Sequence, residues 1–302
     1  MRTALTAIAD ELKRLKATGV KSVAVSDESV AVLRRVIAGR RKPETGERKP
    51  ETGKIEPTAA PVLAKVVAKA PAPAAAPKLP APPAVVLPAG DKAARLAWLR
   101  DLVLNHPVCT ANVRPGKKAV LGVGSPDAKI MFVGEAPGAE EEVQGEPFVG
   151  PAGQLLTKMI GAMGLKRSEV YIGNIMNWRP QIPTPAGAEQ MGNRPPSAEE
   201  MAFCLPFLRA QVEIVNPAVL VALGSTAAQG LLGADSFKTL GEIRGRWQLF
   251  AEKPVMVTYH PSYILRNASN RSKRMVWEDL LKVMERLDMS VSDKQRGYFL
   301  DK

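Results

Sequence analysis

Beyond residue 91 the chain repeats one pattern four times: a short apolar run, then a stretch with helical periodicity. The runs are residues 129–133, 170–176, 218–223 and 255–259. Each is bounded by turn-forming residues and is too short for a helix of ordinary length. Strands that alternate with helices in this way belong in a mostly parallel sheet. The helical stretches fall at 91–105, 152–163, 197–215, 226–232 and 270–287. Pro196 and Ser197 suit a helix start, and Pro206 is expected to kink or interrupt that helix. The alternation predicts an α/β domain over 91–290, with a central, mostly parallel four-stranded sheet flanked by helices.

The first 90 residues read differently. Leu5, Ile8, Leu12 and Leu15, and then Val30, Leu33 and Val36, have helical spacing, so a small helical element is expected at 1–40. A seven-residue repeat begins at Arg41 and again at Arg48, and Ala, Pro and Val dominate residues 56–90. Residues 41–90 are expected to form an extended linker, and residues 291–302 a C-terminal tail. The chain carries a net charge of +12. Residues 1–90 hold 16 Lys+Arg against 8 Asp+Glu, so +8 of that excess lies in the extension. An excess of this size favours a polyanionic partner, most simply nucleic acid; a merely solvated tail is the alternative for the extension. No run of about 18 apolar residues is long enough to span a membrane, and the first residues lack a signal-peptide pattern. A soluble, cytoplasmic monomer acting at the nucleoid is expected. Two cysteines, Cys109 and Cys204, and two histidines, His106 and His260, are too few and too scattered for a disulfide framework or a zinc site.

In an open α/β sheet, ligands bind beyond the carboxyl ends of the strands. At those ends the four runs give Gly134-Glu-Ala-Pro-Gly138, then Asn174, then Gly224-Ser-Thr226, then His260-Pro-Ser-Tyr-Ile264. A Glu, an Asn and one of the two His residues are thus brought to one edge. The stretch from Gly134 through Pro147-Phe-Val-Gly150 to Gly153 resembles the uracil-DNA glycosylase superfamily, family 4 most closely. Tyr171-Ile-Gly-Asn174, Asn193-Arg-Pro195 and His260-Pro-Ser262 extend the resemblance in the same order. It covers roughly residues 91–287.

The resemblance implies a monofunctional DNA glycosylase that flips uracil, and by extension other deaminated bases, out of DNA and hydrolyses the N-glycosidic bond. That reaction would initiate base excision repair, with uracil-containing DNA as partner. The base must first be extruded, at a cost of a few kcal/mol. Phe148 is then the stacking platform and Asn174 pairs with the polar edge of the base, while Ala136 places a backbone amide nearby. His260 donates to a uracil oxygen as negative charge develops; one such donor is typically worth about 3 kcal/mol. Glu135 and Glu141 are the candidate carboxylates for the attacking water, and the sequence does not choose between them. Asn193, Arg194, Ser262, Tyr263, Ile264 and Arg266 are implied to meet DNA, with Ile264 as the apolar wedge and Arg266 on a phosphate. For most of these there is a plainer role: a core aromatic for Phe148, a turn cap for Asn174, a structural imidazole for His260, a solvated charge for either Glu, core packing for Ile264.

The chain departs from the family pattern in two places. Family 4 enzymes carry four cysteines that ligate a [4Fe–4S] cluster; here Cys204 stands at one such position and Trp178 at another. Pro107 and Thr110 stand roughly where an N-terminal Cys pair would, and Cys109 falls one position off. No cluster is therefore expected, and Cys204 becomes a buried thiol. The second departure is an insert at 181–191 with no His and no basic residue, which argues against covalent trapping of the sugar by such a side chain. Two further readings compete: a non-catalytic DNA-damage or polymerase-associated module that keeps the fold, and a phosphate-binding α/β enzyme. The latter lacks the Gly-Lys-[Ser/Thr] ending of a P-loop.

Overall fold

The chain is described by a computed structural model over residues 79–300, residue 186 excepted. The helical element expected at 1–40, and the expected linker as far as residue 78, lie outside those residues. Helix α1 (Lys92–Asn105) starts where the Asp91 carboxylate accepts a hydrogen bond from the Ala94 amide at 2.8 Å. A short α2 (Pro107–Ala111) comes next. The sheet then begins with β1 (Val123–Gly124) and β2 (Ile130–Gly134). Helices α3 (Ala139–Gln144) and α4 (Pro151–Ala162) lead to β3 (Tyr171–Asn174). Helix α5 (Ala198–Val215) leads to β4 (Val219–Leu223), and α6 (Ser225–Leu232) and α7 (Leu240–Ile243) lead to β5 (Trp247–Phe250). Strand β6 (Lys253–Thr258), α8 (Pro261–Arg266), α9 (Asn270–Arg286) and α10 (Asp293–Arg296) complete the domain.

The sheet has six strands in the order β1-β3-β2-β4-β6-β5. The four expected strands form its centre, all parallel. The expectation of four is corrected by two short antiparallel edge strands, β1 on β3 and β5 on β6. Both edges escape a periodicity search for physical reasons. β1 is two residues long, and the β5–β6 hairpin turns at Ala251 and Glu252, both at positive φ, without the Asn or Gly that usually marks such a turn. Pro206 lies inside α5, yet that helix runs unbroken.

Side chains alternate across the sheet as the pleat requires. Ile130, Phe132, Ile172, Val219, Val221 and Met256 face a core completed by α4 and α9. Met131, Val133, Tyr171, Leu220, Ala222, Val255 and Val257 face the core on the other side, with α5 and α6. A third apolar cluster lies between α1, α2 and α5 and includes Cys109, Trp178 and Cys204. Residues 291–300 pack back on α9. The Trp277 indole donates to the Gln295 carbonyl at 2.6 Å, and Tyr298 lies 5.2 Å from the Trp277 ring. No helix among the described residues is long and apolar enough to cross a membrane.

One buried polar network fixes the end of β6. Asp279 on α9 is almost wholly buried and accepts from the Arg244 guanidinium at 2.9 Å through both oxygens. Its Oδ2 also accepts from the Thr258 hydroxyl at 2.6 Å. Thr258 stands two residues before His260. Removing the carboxylate would leave Arg244 without its partner in a site largely closed to water. Asp279→Ala is expected to lower stability by about 3 kcal/mol in urea unfolding, well beyond an ordinary surface substitution. A loss below about 0.5 kcal/mol would show that the network contributes little.

Candidate active site

The parallel strands all end on one edge of the sheet, and their last residues and the adjoining turns enclose a cavity of about 600 Å³. β2 contributes Glu135 and Ala136, β3 contributes Asn174, β4 contributes Gly224, Ser225 and Thr226, and β6 contributes His260 and Ser262. The loop before α4 adds Phe148. Asn193, Arg194 and Arg266 stand on the rim, and Glu141 also lines the wall. The N-termini of α4 and α6 open onto the same space. Their caps are glycines, Gly150 and Gly224, with no side chain to bond the helical amides. The positive ends of these helices therefore favour negative charge in the cavity.

Phe148 and Asn174 come together at the cavity floor. A methyl group built on Gly134 would overlap both side chains, so a larger residue there would have to displace them. Asn174 is buried, and its side-chain oxygen has no hydrogen-bond partner among the described residues. A buried acceptor left unpaired costs about 1–3 kcal/mol, a penalty that a ligand N–H would relieve.

His260 caps α8. Its Nδ1 accepts from the Ser262 amide at 3.1 Å and lies 2.9 Å from the Ser262 hydroxyl. An Nδ1 that accepts a backbone N–H carries no proton, so in the neutral ring the proton sits on Nε2. Burial, with a smaller push from the Arg266 cation, lowers the imidazole pKa from 6.5 to about 4. The ring is thus a neutral donor, 5.6 Å from the Phe148 ring.

Several expected DNA contacts are placed otherwise. Ile264 is 6% exposed and packs in the core against α4 and α9, which removes it as a wedge. The next residue, Leu265, is 49% exposed, a position that no periodicity in a six-residue helix could have phased. Tyr263 does not line the cavity; it stacks on Tyr259 with ring centroids 4.5 Å apart. Arg194 pairs with Glu200 through two bonds of 2.7 Å and donates to the Gln181 carbonyl, so much of its guanidinium is engaged within the chain. Asn193 accepts from Arg179 at 2.8 Å. That arginine is buried, pairs with Glu142 at 2.8 Å, and also donates to the carbonyls of Gln190 and Gly192. It closes the base of the 181–191 insert and holds Asn193 at the rim. Glu141 accepts three backbone amides, while the Glu135 carboxylate has no hydrogen-bond partner among the described residues.

The third apolar cluster answers whether a metal centre fits. Its two thiols are fully buried in apolar packing. Burial pushes the Cys109 thiol up to about 12 and the Cys204 thiol well above its ordinary value. Trp178 is wholly buried beside them. An iron–sulfur cluster asks for four thiolates, and two thiols packed among apolar side chains beside Trp178 do not supply that set. No group of three or more His, Cys, Asp or Glu residues able to hold a metal occurs among the described residues.

Comparison with known proteins agrees with this geometry. The uracil DNA glycosylase superfamily model matches residues 121–281. The type-4 uracil-DNA glycosylase of Thermotoga maritima is 44% identical over 166 residues, covering 54% of this chain and 80% of that protein. The type-4 enzyme of Saccharolobus solfataricus is 38% identical over 178 residues, covering 57% and 77%. A type-5 enzyme of Pyrobaculum aerophilum is 30% identical over 178 residues, covering 54% and 72%. The chain belongs to the uracil DNA glycosylase superfamily, and these type-4 relatives match it at higher identity than that type-5 one.

The His260 pKa gives a direct test. Its folded value lies below the unfolded 6.5, so between about 6.5 and 4 the unfolded chain binds the extra proton. The stability it contributes is complete above 6.5 and is lost as pH falls towards 4. Imidazole ¹H–¹⁵N spectra are expected to show the Nε2–H tautomer throughout that window. A ring that becomes charged near 6.5 would contradict the burial argument.

Proposed function

We propose that this chain is a uracil-DNA glycosylase that extrudes uracil from DNA and hydrolyses its N-glycosidic bond. The observation that carries this reading is the neutral His260 donor facing the same cavity as the unpaired Asn174 oxygen and the Phe148 ring. Uracil offers an N–H at N3 and carbonyl oxygens at O2 and O4. Asn174 accepts from N3–H and returns an amide N–H to O4, while Phe148 covers one face of the base.

As the C1′–N1 bond lengthens, the electron pair moves into the base and the sugar becomes cationic. His260 Nε2–H donates to O2 in a hydrogen bond that strengthens as charge gathers there. Being neutral, the ring stabilises the leaving anion without having to give up its proton. The N-termini of α4 and α6 act in the same direction. Glu135 holds a water against C1′ and takes its proton as the C–O bond forms, a role worth about 10²–10⁴-fold. The products are an abasic site and uracil, which is protonated by solvent.

Arg266, which lines the cavity, supplies a phosphate contact. Leu265 takes the wedge role that Ile264 cannot fill, entering the stack where the base has left. In this reading the domain works without an iron–sulfur cluster, since the packing of Trp178, Cys109 and Cys204 occupies that part of the fold.

Uracil-containing oligonucleotides should be cut by alkali after treatment with the protein. His260→Ala and Asn174→Ala should each lower kcat by about 10²-fold or more. Near-normal turnover by His260→Ala would remove it from the chemistry, and binding without alkali-labile sites would favour a non-catalytic DNA module. Leu265→Ala should weaken excision from duplex more than from single strands; equal effects would place the wedge elsewhere. Protein purified without oxygen should be colourless and keep full activity after ferricyanide treatment. Iron near the stoichiometry of a [4Fe–4S] centre would overturn the cluster-free reading.

A further inference from the structure

Phe148 holds a backbone conformation that its side chain does not favour. Its φ is +55°, in the left-handed region, where a bulky residue is an outlier. Such strain persists only where the surroundings over-determine it, and it gathers at working sites. Here the restraint comes from both sides of the residue. On the far side, Glu141 Oε1 accepts the amides of Val149 and Gly150, both at 3.0 Å, and Oε2 accepts the Gly138 amide at 3.0 Å. On the near side, the half-buried Arg167 donates to the Pro147 carbonyl at 2.6 Å. From below, Gly153 presses on the Phe148 backbone so closely that a methyl group there would overlap the carbonyl.

We propose that Glu141 and Arg167 are positioning residues that clamp the Phe148 platform, and that Glu141 is not the base that activates water. This inference rests on the glycosylase reading given above. A carboxylate that accepts three backbone amides has both oxygens engaged in the wall of the site. Glu135, whose carboxylate has no such partners among the described residues, is left to handle the water. Glutamine at 141 cannot substitute: its amide nitrogen would face either the Gly138 N–H or the Val149 and Gly150 pair. Losing either contact frees the loop to relax, and a displacement of about 1 Å at a reacting centre is enough for a 10²-fold loss.

The test compares Glu141→Gln, Arg167→Met, Phe148→Ala and the double variant Glu141→Gln/Phe148→Ala in the full chain, with wild type and His260→Ala as references. The expected result has three parts. Glu141→Gln and Arg167→Met lower kcat about 10- to 100-fold and weaken inhibition by free uracil about tenfold. Both keep the acid limb of the wild-type pH–rate profile. The double variant is no slower than Phe148→Ala, because the clamp has nothing left to hold. A crystal structure of Glu141→Gln should show Phe148 out of the left-handed region, a readout that needs no activity.

If Glu141→Gln abolishes the acid limb while uracil still binds normally, Glu141 is the base and the proposal is wrong. It is equally wrong if the double variant shows additive losses, or if Phe148 keeps its conformation. Should Glu141→Gln not fold, Arg167→Met and Arg167→Met/Phe148→Ala test the clamp by the same measurements, and the base is tested by Glu135→Gln, whose retained acid limb would overturn the assignment. A wild-type protein that leaves uracil in DNA would refute the glycosylase reading itself, whereas wild-type excision with unaffected variants refutes only the clamp.

Discussion

Parallel strands must all finish on the same side of a sheet, and everything distinctive about this domain is built on that constraint. Four inner strands stop in register, so the residues just past them are brought together although they lie far apart in sequence. The chain beyond each strand must also return in a helix that covers the sheet. Two helix starts, those of α4 and α6, are thereby delivered to the same edge as the strand ends, with no side chain capping their first amides. The chain places a Glu, an Asn and a His at three of those stops. The electrostatic character of the cavity is set by backbone direction before any charged side chain is considered.

That geometry explains which parts of the domain were legible in the sequence. The central strands and the edge that carries Glu135, Asn174 and His260 could be read because an apolar run that stops at a polar residue is a local event. The motifs around them also resemble those of the uracil-DNA glycosylase superfamily, whose model matches residues 121–281. The edge strands had no comparable mark. Whether Ile264 or Leu265 faces solvent depends on how a six-residue helix rolls against α4 and α9, and that is decided by packing. Arg194 could be read as a free cation only because its partner Glu200, six residues on, folds back onto it from the first turn of α5. Arg179 and Glu142 are 37 residues apart, and nothing in either neighbourhood announces their pairing.

The third apolar cluster is buried as fully as the two cores that flank the sheet. Where the family pattern has a metal centre, this chain packs His106, Trp178, Phe203 and Phe207 against one another. The two thiols lie within that packing, and burial raises the pKa of both. On the cluster-free reading, dispersion and apolar burial stand in for coordination bonds, and this part of the domain assembles as an ordinary core.

The anchoring of the insert has a consequence for how such a protein can diversify. Arg179 and Gln190 tie the two stems of that loop to backbone carbonyls and to α3, below the level of the rim. Residues between the stems are mostly exposed, and Met191, just beyond Gln190, is 84% exposed. Exchanges of the exposed side chains in that span leave the bonds of Arg179 and Gln190 in place. The domain thus carries, beside its cavity, a stretch of surface whose side chains can vary without loosening what lies beneath.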